Sequence, residues 1–334
     1  MEGKKLGELL GSLDDQIIIF LQSFSPLFDL FFGLITFFGD KLFVTGILII
    51  FFFCVDKKVA FRAALLVIFT AFITFSLKGI FALERPYLEY ERLNKSEIKG
   101  IKDILGQLPT DYTFPSGHSS NVGSFWTFLA SRWRHSGFWI VAALIIILIP
   151  LSRCYLGVHW PTDIIFGVLL GILITLLFIH LLPKMEQFAF KSPPSVLLLI
   201  SVIAPIIAVT ISYILIVSMG NNFELADTTT YGGLILGLSL GYILEERFVN
   251  LKVKEYRTNM KVLIYRGIVG LIIILVLYFG MSALSGMLFE GFPLDIIARF
   301  CRYAILAFVA VFCIPWLFVL IEKRFSLEQE VPTE

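Results

Sequence analysis

The sequence predicts an all-α, polytopic transmembrane helical bundle. Of its 334 residues, 57% are hydrophobic and only 16% are charged, whereas a soluble domain carries roughly 25% charged residues. The mean hydropathy of +0.87 agrees with this, and apolar runs of roughly 20 residues, the length that crosses a bilayer, recur along the chain. The net charge of +1 gives no indication of a nucleic-acid partner.

We predict about ten spans, and the first two are the weakest. Serines and a proline within 23–26 interrupt the first span, and only a tight turn at 39–40 separates it from the second. A re-entrant or interfacial first helix is therefore the alternative. The predicted spans are 16–37, 41–56, 60–82, 116–131, 138–153, 159–182, 196–218, 230–246, 262–281 and 295–321.

The distribution of Lys and Arg predicts the orientation in the membrane. One set of alternate connections is much richer in these residues than the other, and basic residues favour cytoplasmic loops. Both termini are therefore predicted to face the cytoplasm, and the loops at 83–115 and 154–158 to face away from it. Compact loops favour a bacterial plasma membrane. The four cysteines show neither metal-ligand spacing nor a disulfide framework.

The segment 83–115 is the one long polar insertion in the first half of the sequence. Its charges are of mixed sign. We interpret it as a solvated loop with a short amphipathic helix around 96–105 on the membrane surface, in preference to a segment that contacts substrate.

The stretch from Ser152 to Asp163 carries residues suited to phosphoryl transfer. If Pro161 opens a helix, His159 and Asp163 lie about one turn apart on one face, and Pro suits that position because it has no N–H to leave unpaired. A carboxylate there fixes one imidazole nitrogen and leaves the other free to attack. Arg153 supplies a planar cationic fork suited to phosphate.

Two further clusters are predicted to face the same compartment. Lys78 and Arg85 are two helical turns apart and share a face. A lone Lys near a helix end usually snorkels, but several cations facing one compartment favour a functional site. Ser116 is a candidate N-cap, Gly117 lets a helix N-terminus approach an anion, and His118 is suited to protonate a leaving oxygen. By itself, Ser-Gly before a helix is often only a cap.

Together the three clusters form a specific pattern: Lys-x6-Arg-Pro, then Pro-Ser-Gly-His, then Ser-Arg-x5-His-x3-Asp. This pattern resembles the type 2 phosphatidic acid phosphatase superfamily of integral membrane lipid phosphatases, and every motif position is matched. The resemblance covers about 16–182. It implies a six-helix phosphatase core over 1–183, followed by four C-terminal transmembrane helices, 184–334, of unknown role.

The resemblance also implies a role for each motif residue. His159 would be the nucleophile that forms a phosphohistidine, Asp163 would orient it, and His118 would be the general acid and then the base that activates water. No metal or other cofactor is expected, because three cations and a helix end supply the charge stabilisation and no carboxylate cluster lies on that face to hold a metal. The implied phosphate-binding residues are Lys78, Arg85, Ser116, Gly117 and Arg153.

The leading hypothesis is a membrane enzyme that hydrolyses a lipid phosphomonoester or diphosphate on the non-cytoplasmic face. A lipid phosphate and the membrane lipids are then its partners. The alternatives are a lipid-linked phosphotransferase, a phosphatase for a soluble sugar phosphate, and a transporter or scaffold that retains the fold without catalysis. The sequence leaves open which lipid is the substrate and whether water or an alcohol is the acceptor.

Two other features are interpreted without a catalytic role. His135 and His180 are predicted to lie on the cytoplasmic side, away from the three clusters. Glycines four residues apart permit close helix packing, either within one chain or, as a second interpretation, in a homo-oligomer or a lipid cleft. They lie at Gly167 and Gly171 and at Gly233, Gly237 and Gly241.

Overall fold

The computed structural model describes residues 2–106, 108–133, 135–221, 225–253, 259–288 and 294–324. This part of the chain is mainly helical and contains no β-strand, so the predicted all-α class is confirmed. Short π-helical turns follow α10 and link α12 to α13. The helices are α1 (Glu2–Gln22), α2 (Asp29–Phe37), α3 (Lys41–Cys54), α4 (Lys57–Phe81), α5 (Pro86–Arg92), α6 (Gly117–Trp133), α7 (Ser136–Tyr155), α8 (Pro161–Lys191), α9 (Pro194–Ser218), α10 (Leu225–Leu244), α11 (Met260–Leu288), α12 (Leu294–Phe308) and α13 (Ile314–Arg324).

The predicted spans are helical, but fewer than ten of the described helices are apolar enough to count as spans by themselves. Six stretches meet that criterion, and α2 with α3, bent by 41° at the break between them, would make a seventh. The prediction that the first span, 16–37, is one continuous helix is wrong, because α1 ends at Gln22 and α2 begins only at Asp29. Pro26 lies in that break.

Helix α6, with 17 residues, is too short to count as a span by itself, and its first turns are polar. Ser119, Ser120 and Ser124 are fully buried, as are most of the side chains that follow them. Polar side chains in membrane helices face the interior of the protein. A helix surrounded by other helices therefore tolerates a composition that a lipid-facing helix does not.

The amphipathic helix predicted around 96–105 is wrong, since the chain there is irregular. Its backbone groups are instead satisfied from elsewhere in the fold. The Gln22 side chain donates to the Lys99 carbonyl at 2.7 Å and accepts from the Lys99 N–H at 3.0 Å. The helix of this segment lies earlier, at α5, where Pro86 occupies the first position with a φ already suited to a helix.

The chain divides into two compact units. In the first, α7 packs against α1, α2 and α6. Two hydrogen bonds fix the helix ends that carry the predicted site: the Tyr155 hydroxyl donates to Asp29 Oδ1 at 2.5 Å, and the Thr162 hydroxyl donates to Asp14 Oδ2 at 2.7 Å. The first unit comprises Met1–Val44, Ile73–His180 and Ile216–Glu224.

Helices α6 and α8 approach each other closely in the first unit because α8 presents glycines to α6. A Cβ at Gly167 would lie 2.7 Å from the carbonyl oxygen of Ser116, and one at Gly171 would collide with the carbonyl oxygen of Ser120. The predicted close packing is confirmed here. It places the start of α6 directly against the start of α8.

The second unit has an apolar core that includes Phe53 and Phe318. Its α10 lies against α12, and Gly233 and Gly237 make the contact possible, since a Cβ at either would collide with a backbone carbonyl of α12. The glycines of α10 thus serve packing within the chain. This unit comprises Thr45–Phe72, Leu181–Leu215 and Leu225–Glu334.

Candidate active site

The eight predicted site residues all lie where a helix of the first unit begins or ends. Six of them are buried, whereas Gly117 and His118 are half-buried. The fold therefore gathers residues from five parts of the sequence around one polar centre. The buried six are Lys78 in the last turn of α4, Arg85 before α5, Ser116 before α6, Arg153 in the last turn of α7, His159 between α7 and α8, and Asp163 in the first turn of α8.

Lys78 and Arg85 meet on the carboxylate of Asp111. Lys78 Nζ lies 2.5 Å from Asp111 Oδ2, and Arg85 Nη2 lies 2.5 Å from Asp111 Oδ1. Burial alone would raise the pKa of Asp111, but the charges of Lys78 and Arg85 outweigh it and hold that pKa well below its usual range. Asp111 is therefore an ionised partner of two cations.

Backbone carbonyls hold the same two cations in place. Arg85 Nε donates to the Asp111 carbonyl at 2.7 Å, Arg85 Nη1 donates to the Val158 carbonyl at 2.6 Å, and Lys78 Nζ donates to the Tyr112 carbonyl. The interpretation of 83–115 as a solvated loop is thus wrong for its last residues. These line the site.

The orientation of His159 follows from its neighbours. Arg85 Nη1 lies 3.1 Å from His159 Nε2. A guanidinium donates hydrogen bonds and has no acceptor, so Nε2 carries the lone pair and Nδ1 carries the proton. The Nε2 of His159 is therefore chemically a nucleophile held among cations.

Thr113 lies between His159 and Asp163. Its Oγ1 is 3.1 Å from His159 Nδ1 and donates to Asp163 Oδ2. The direct distance from His159 Nδ1 to Asp163 Oδ2 is longer, 3.4 Å. The Trp160 N–H also donates to Asp163 Oδ2, at 2.8 Å. The predicted pairing of His159 with Asp163 is present, but it runs largely through the Thr113 hydroxyl.

Burial and the local charges keep His159 neutral. Burial, and then the positive charges of Arg85, Lys78 and Arg153, hold the pKa of His159 well below its usual range. A neutral imidazole is the form that can attack phosphorus.

Arg153 has a buried donor that no protein group accepts. Its Nη1 donates to Thr36 Oγ1 at 2.8 Å, whereas its Nε is buried without a hydrogen-bond partner among the described residues. Such a donor marks a place where a ligand or water oxygen fits. Thr36 also lines a small cleft that reaches His118. The other lining residues are Gly33, Phe37, Asp40, Asp103, Ile104 and Leu105.

Ser116 and Gly117 form the start of α6. Ser116 Oγ accepts hydrogen bonds from the Ser119 hydroxyl at 2.9 Å and from the Ser119 N–H at 3.4 Å, which is the predicted N-cap arrangement. A Cβ at Gly117 would meet only the ring of Phe75, at 3.6 Å, an ordinary contact. Packing therefore does not require glycine there, and its predicted approach to an anion stays a prediction.

Asp111 and Thr113 are the site residues that sequence reasoning missed. Both belong to the polar run 110–113, which directly precedes the motif at Phe114. A carboxylate and a hydroxyl immediately before a candidate anion-binding helix were the available signal. The two other histidines, His135 and His180, are exposed.

Two family models match this chain. The PAP2 superfamily model matches residues 59–186, which contain all eight predicted site residues. A second model, described as PAP2 superfamily phosphatase, transmembrane extension, matches residues 229–325. Together these matches cover well over half of the chain. The chain belongs to the PAP2 superfamily.

Individual relatives of this PAP2 protein are matched over shorter stretches. An undecaprenyl-diphosphatase of Sulfolobus acidocaldarius is 39% identical over 92 residues, 25% of this chain and 43% of the relative. A phosphatidylglycerophosphatase B of Bacillus subtilis is 34% identical over 91 residues, 25% of this chain and 45% of the relative. The chain thus spans less than half the length of these relatives. The crystal structure of Aquifex aeolicus LpxE is 23% identical, with a TM-score of 0.42, and covers 49% of this chain and 93% of that one.

The second PAP2 match begins within α10 and ends after α13. The C-terminal helices are thus a recognised extension of this superfamily. In the part of the chain that the structure describes, no three His, Cys, Asp or Glu side chains converge as a group that could hold a metal ion.

Proposed function

We propose that this PAP2 protein is a membrane phosphatase that removes the terminal phosphate of a lipid phosphomonoester or diphosphate through a phosphohistidine at His159. The observation that carries the proposal is the contact of Arg85 with His159 Nε2, which leaves a lone pair directed into a cluster of cations. The two named relatives support the substrate class, since a prenyl diphosphate and phosphatidylglycerol phosphate both end in a terminal phosphate.

In the first step, His159 Nε2 attacks phosphorus and the bond from phosphorus to the leaving oxygen breaks. Lys78, Arg85 and Arg153 offset the negative charge on the phosphoryl oxygens. The Arg153 Nε, which has no hydrogen-bond partner among the described residues, can donate to one of these oxygens. The negative charge of the bound phosphate favours the protonated form of His118, which donates its proton to the leaving oxygen and becomes neutral. The positive charge on the imidazole is stabilised through Thr113 and Asp163.

In the second step, water attacks the phosphohistidine. His118, now neutral, takes the proton from that water while the P–N bond breaks, so inorganic phosphate leaves and both histidines return to their starting states. Three guanidinium or ammonium groups do the electrostatic work that a metal ion does in other phosphoryl-transfer enzymes. The reaction is accordingly proposed to proceed in the presence of EDTA.

The site is proposed to open on the non-cytoplasmic face, with both termini in the cytoplasm, because Lys and Arg are concentrated in the opposite set of connections. A cysteine-free background tests this. Glu97→Cys in the site-side loop and Lys58→Cys at the start of α4 are both exposed positions. A membrane-impermeant maleimide added to intact cells should label the first and not the second; the reverse pattern would overturn the orientation.

The central experiment measures phosphate release by the purified protein in detergent with EDTA. The panel holds phosphatidic acid, phosphatidylglycerol phosphate, a polyprenyl diphosphate, sphingosine phosphate and glucose 6-phosphate. His159→Ala is the test variant, and His180→Ala is the matched control because His180 is an exposed histidine in α8. We expect release from a lipid, a loss of at least about 10³-fold in His159→Ala, and ordinary activity in His180→Ala.

Each departure from this result has its own meaning. Full activity in His159→Ala would overturn the phosphohistidine, as would failure to trap an acid-labile phosphoenzyme with a radiolabelled lipid phosphate. Transfer of phosphate to an added alcohol without free phosphate would make the protein a phosphotransferase. Turnover of glucose 6-phosphate alone would overturn the lipid substrate. If the folded protein turned over no compound of the panel, the hypothesis of a non-catalytic transporter or scaffold would remain.

A further inference from the structure

We propose that Asp111 is a built-in anion that occupies the phosphate site when substrate is absent, so that only a doubly charged terminal phosphate displaces it. The inference rests on the proposed function, because it takes Lys78, Arg85 and Arg153 as the phosphate-binding cations. It adds a specificity-determining residue from outside the motifs that identified the site.

The geometry of Asp111 is that of a bound ligand. Its two carboxylate oxygens are taken by two different cations, Oδ2 by Lys78 Nζ and Oδ1 by Arg85 Nη2, each at 2.5 Å. Two oxygens of a phosphoryl group would accept from the same two donors. Substrate and Asp111 therefore compete for one position.

Asp111 is also the replaceable member of this cluster. The side chains of Lys78 and Arg85 are 2% exposed, whereas that of Asp111 is 20% exposed. The carboxylate thus has an outlet to solvent that the cations lack. When it leaves, Lys78 and Arg85 keep their bonds to the backbone carbonyls of Tyr112, Asp111 and Val158, so the donors remain in position for the incoming group.

Charge decides which ligands win the competition. Asp111 is tethered beside the cations, so its effective concentration there is high. A phosphodiester head group carries one negative charge, the same as Asp111, so replacing Asp111 with it brings no additional electrostatic stabilisation. A terminal phosphomonoester carries about −1.5 to −2 near neutral pH and gains up to one further charge against three cations. Asp111 thereby guards the site from the phosphodiester lipids that surround it in the membrane.

The same contact shapes the resting state of the nucleophile. With Asp111 in place, Arg85 directs Nη2 to the carboxylate and Nη1 to His159 Nε2. The lone pair of His159 is therefore covered until a phosphoryl group draws the guanidinium onto its own oxygens. Displacement of Asp111 and exposure of the nucleophile are one event.

The test measures anion binding, which does not require turnover. Dissociation constants are determined for inorganic phosphate, which the protein cannot hydrolyse, and for the phosphodiester dihexanoyl phosphatidylglycerol. They are measured by calorimetry on wild type, Asp111→Asn, Asp111→Glu and Glu97→Gln. Glu97 is an exposed carboxylate of the same loop, so Glu97→Gln removes an equal charge elsewhere.

We expect Asp111→Asn to bind inorganic phosphate about ten- to hundredfold more tightly than wild type. In wild type the Asp111 carboxylate occupies the site in most molecules and so weakens the apparent affinity, whereas the Asn side chain carries no charge and does not compete. Asp111→Asn should also bind the phosphodiester, which wild type excludes. Asp111→Glu and Glu97→Gln should keep wild-type selectivity. Thermal unfolding provides the folding control: without phosphate the Asn variant melts below wild type, and saturating phosphate restores it.

Unchanged or weaker phosphate binding in a folded Asp111→Asn would overturn the inference and leave Asp111 as a fixed structural counter-ion. That outcome leaves the proposed hydrolysis untouched, provided that wild type releases phosphate from a lipid. Conversely, tighter anion binding in Asp111→Asn with no turnover of any lipid by wild type would support the gated anion site and overturn the phosphatase.

Discussion

The two units of the chain bury ion pairs in different ways. In the second unit, Arg266 Nε lies 2.7 Å from Glu322 Oε1, and Arg266 Nη2 lies 2.7 Å from Glu322 Oε2. The side chains of Arg266 and Glu322 are 0% and 4% exposed. Lys57 Nζ lies 2.9 Å from Glu245, whose side chain is 0% exposed, and also 2.9 Å from Glu246, whose side chain is 33% exposed, so carboxylates at least equal the cations here. Each of these cations faces a sealed carboxylate, and the bidentate geometry of the arginine pair is the strong form of this contact.

In the first unit the cations outnumber the carboxylate that faces them. Lys78 and Arg85 share Asp111, which is part-exposed, and Arg153 leaves a buried Nε without a partner. Buried charge is costly unless it is matched. A matched, sealed pair therefore belongs to the scaffold, whereas an excess of buried cations with one replaceable anion marks a site that is completed by a ligand.

The largest expected effect breaks a matched pair. Arg266→Met leaves Glu322 buried without its cation and should destabilise the protein by about 3–5 kcal/mol, whereas Arg266→Met with Glu322→Met should recover most of that loss. Unfolding by denaturant in detergent measures both. Phosphate release per folded molecule should stay at the wild-type rate. A fall in that rate at unchanged stability would assign this pair to function.

The next effect removes geometry from the unmatched site while its charge is kept. Arg85→Lys retains the cation but loses the fork that reaches His159, Val158 and Asp111 together. We expect kcat/KM for the lipid substrate, measured per folded molecule, to fall about 10²- to 10³-fold. Activity within threefold of wild type would mean that charge alone suffices there.

A smaller effect concerns the hydroxyl between nucleophile and carboxylate. Thr113→Val keeps the shape but removes the hydrogen bonds to His159 and Asp163. The loss should lower kcat about tenfold, the worth of roughly 1.4 kcal/mol, and leave KM unchanged, since Thr113 does not touch the phosphate. Thr113→Ser should rescue kcat. A change in KM alone, or no rescue by Ser, would contradict a positioning role.

The sequence predicted what depends on helical periodicity and motif spacing. The positions of the predicted helices, and the convergence of Lys78, Arg85, His159 and Asp163, follow from residues at helix ends with fixed offsets. Asp111 and Thr113 escaped because they lie in an irregular loop, whose path depends on contacts such as that of Gln22 with Lys99. No periodic pattern encodes such contacts.

The matched pairs of the second unit escaped for a related reason. Lys57 and Glu245 are 188 positions apart, and Arg266 and Glu322 are 56 apart. A lone Lys or Arg near the end of an apolar run is ambiguous in sequence, since it snorkels, pairs or binds a ligand with the same local pattern. Only the fold shows how many carboxylates lie against each cation. That ratio distinguishes a structural ion pair from a group of cations that binds a ligand.

A last prediction concerns stability rather than activity: burial and the surrounding cations, acting on His159, should make the stability depend on pH. The pKa of His159 is held below its usual range in the folded protein, whereas the unfolded chain titrates near pH 6.5. Below that pH the unfolded state binds a proton that the folded state refuses, so the stability that His159 contributes above pH 6.5 is lost as the pH falls. The loss approaches about 1.4 kcal/mol per pH unit until the folded pKa is reached.

His159→Gln lacks this titration, so the difference in unfolding free energy between wild type and His159→Gln isolates it. From pH 8 to about 7 the difference should be constant, and from pH 6.5 to 5 it should move steadily against wild type. A difference that stays flat over the whole range would mean that His159 takes up its proton equally in both states. Burial and the neighbouring cations would then fail to disfavour the charged imidazole, and the neutral nucleophile that the proposed reaction needs would lose its physical basis.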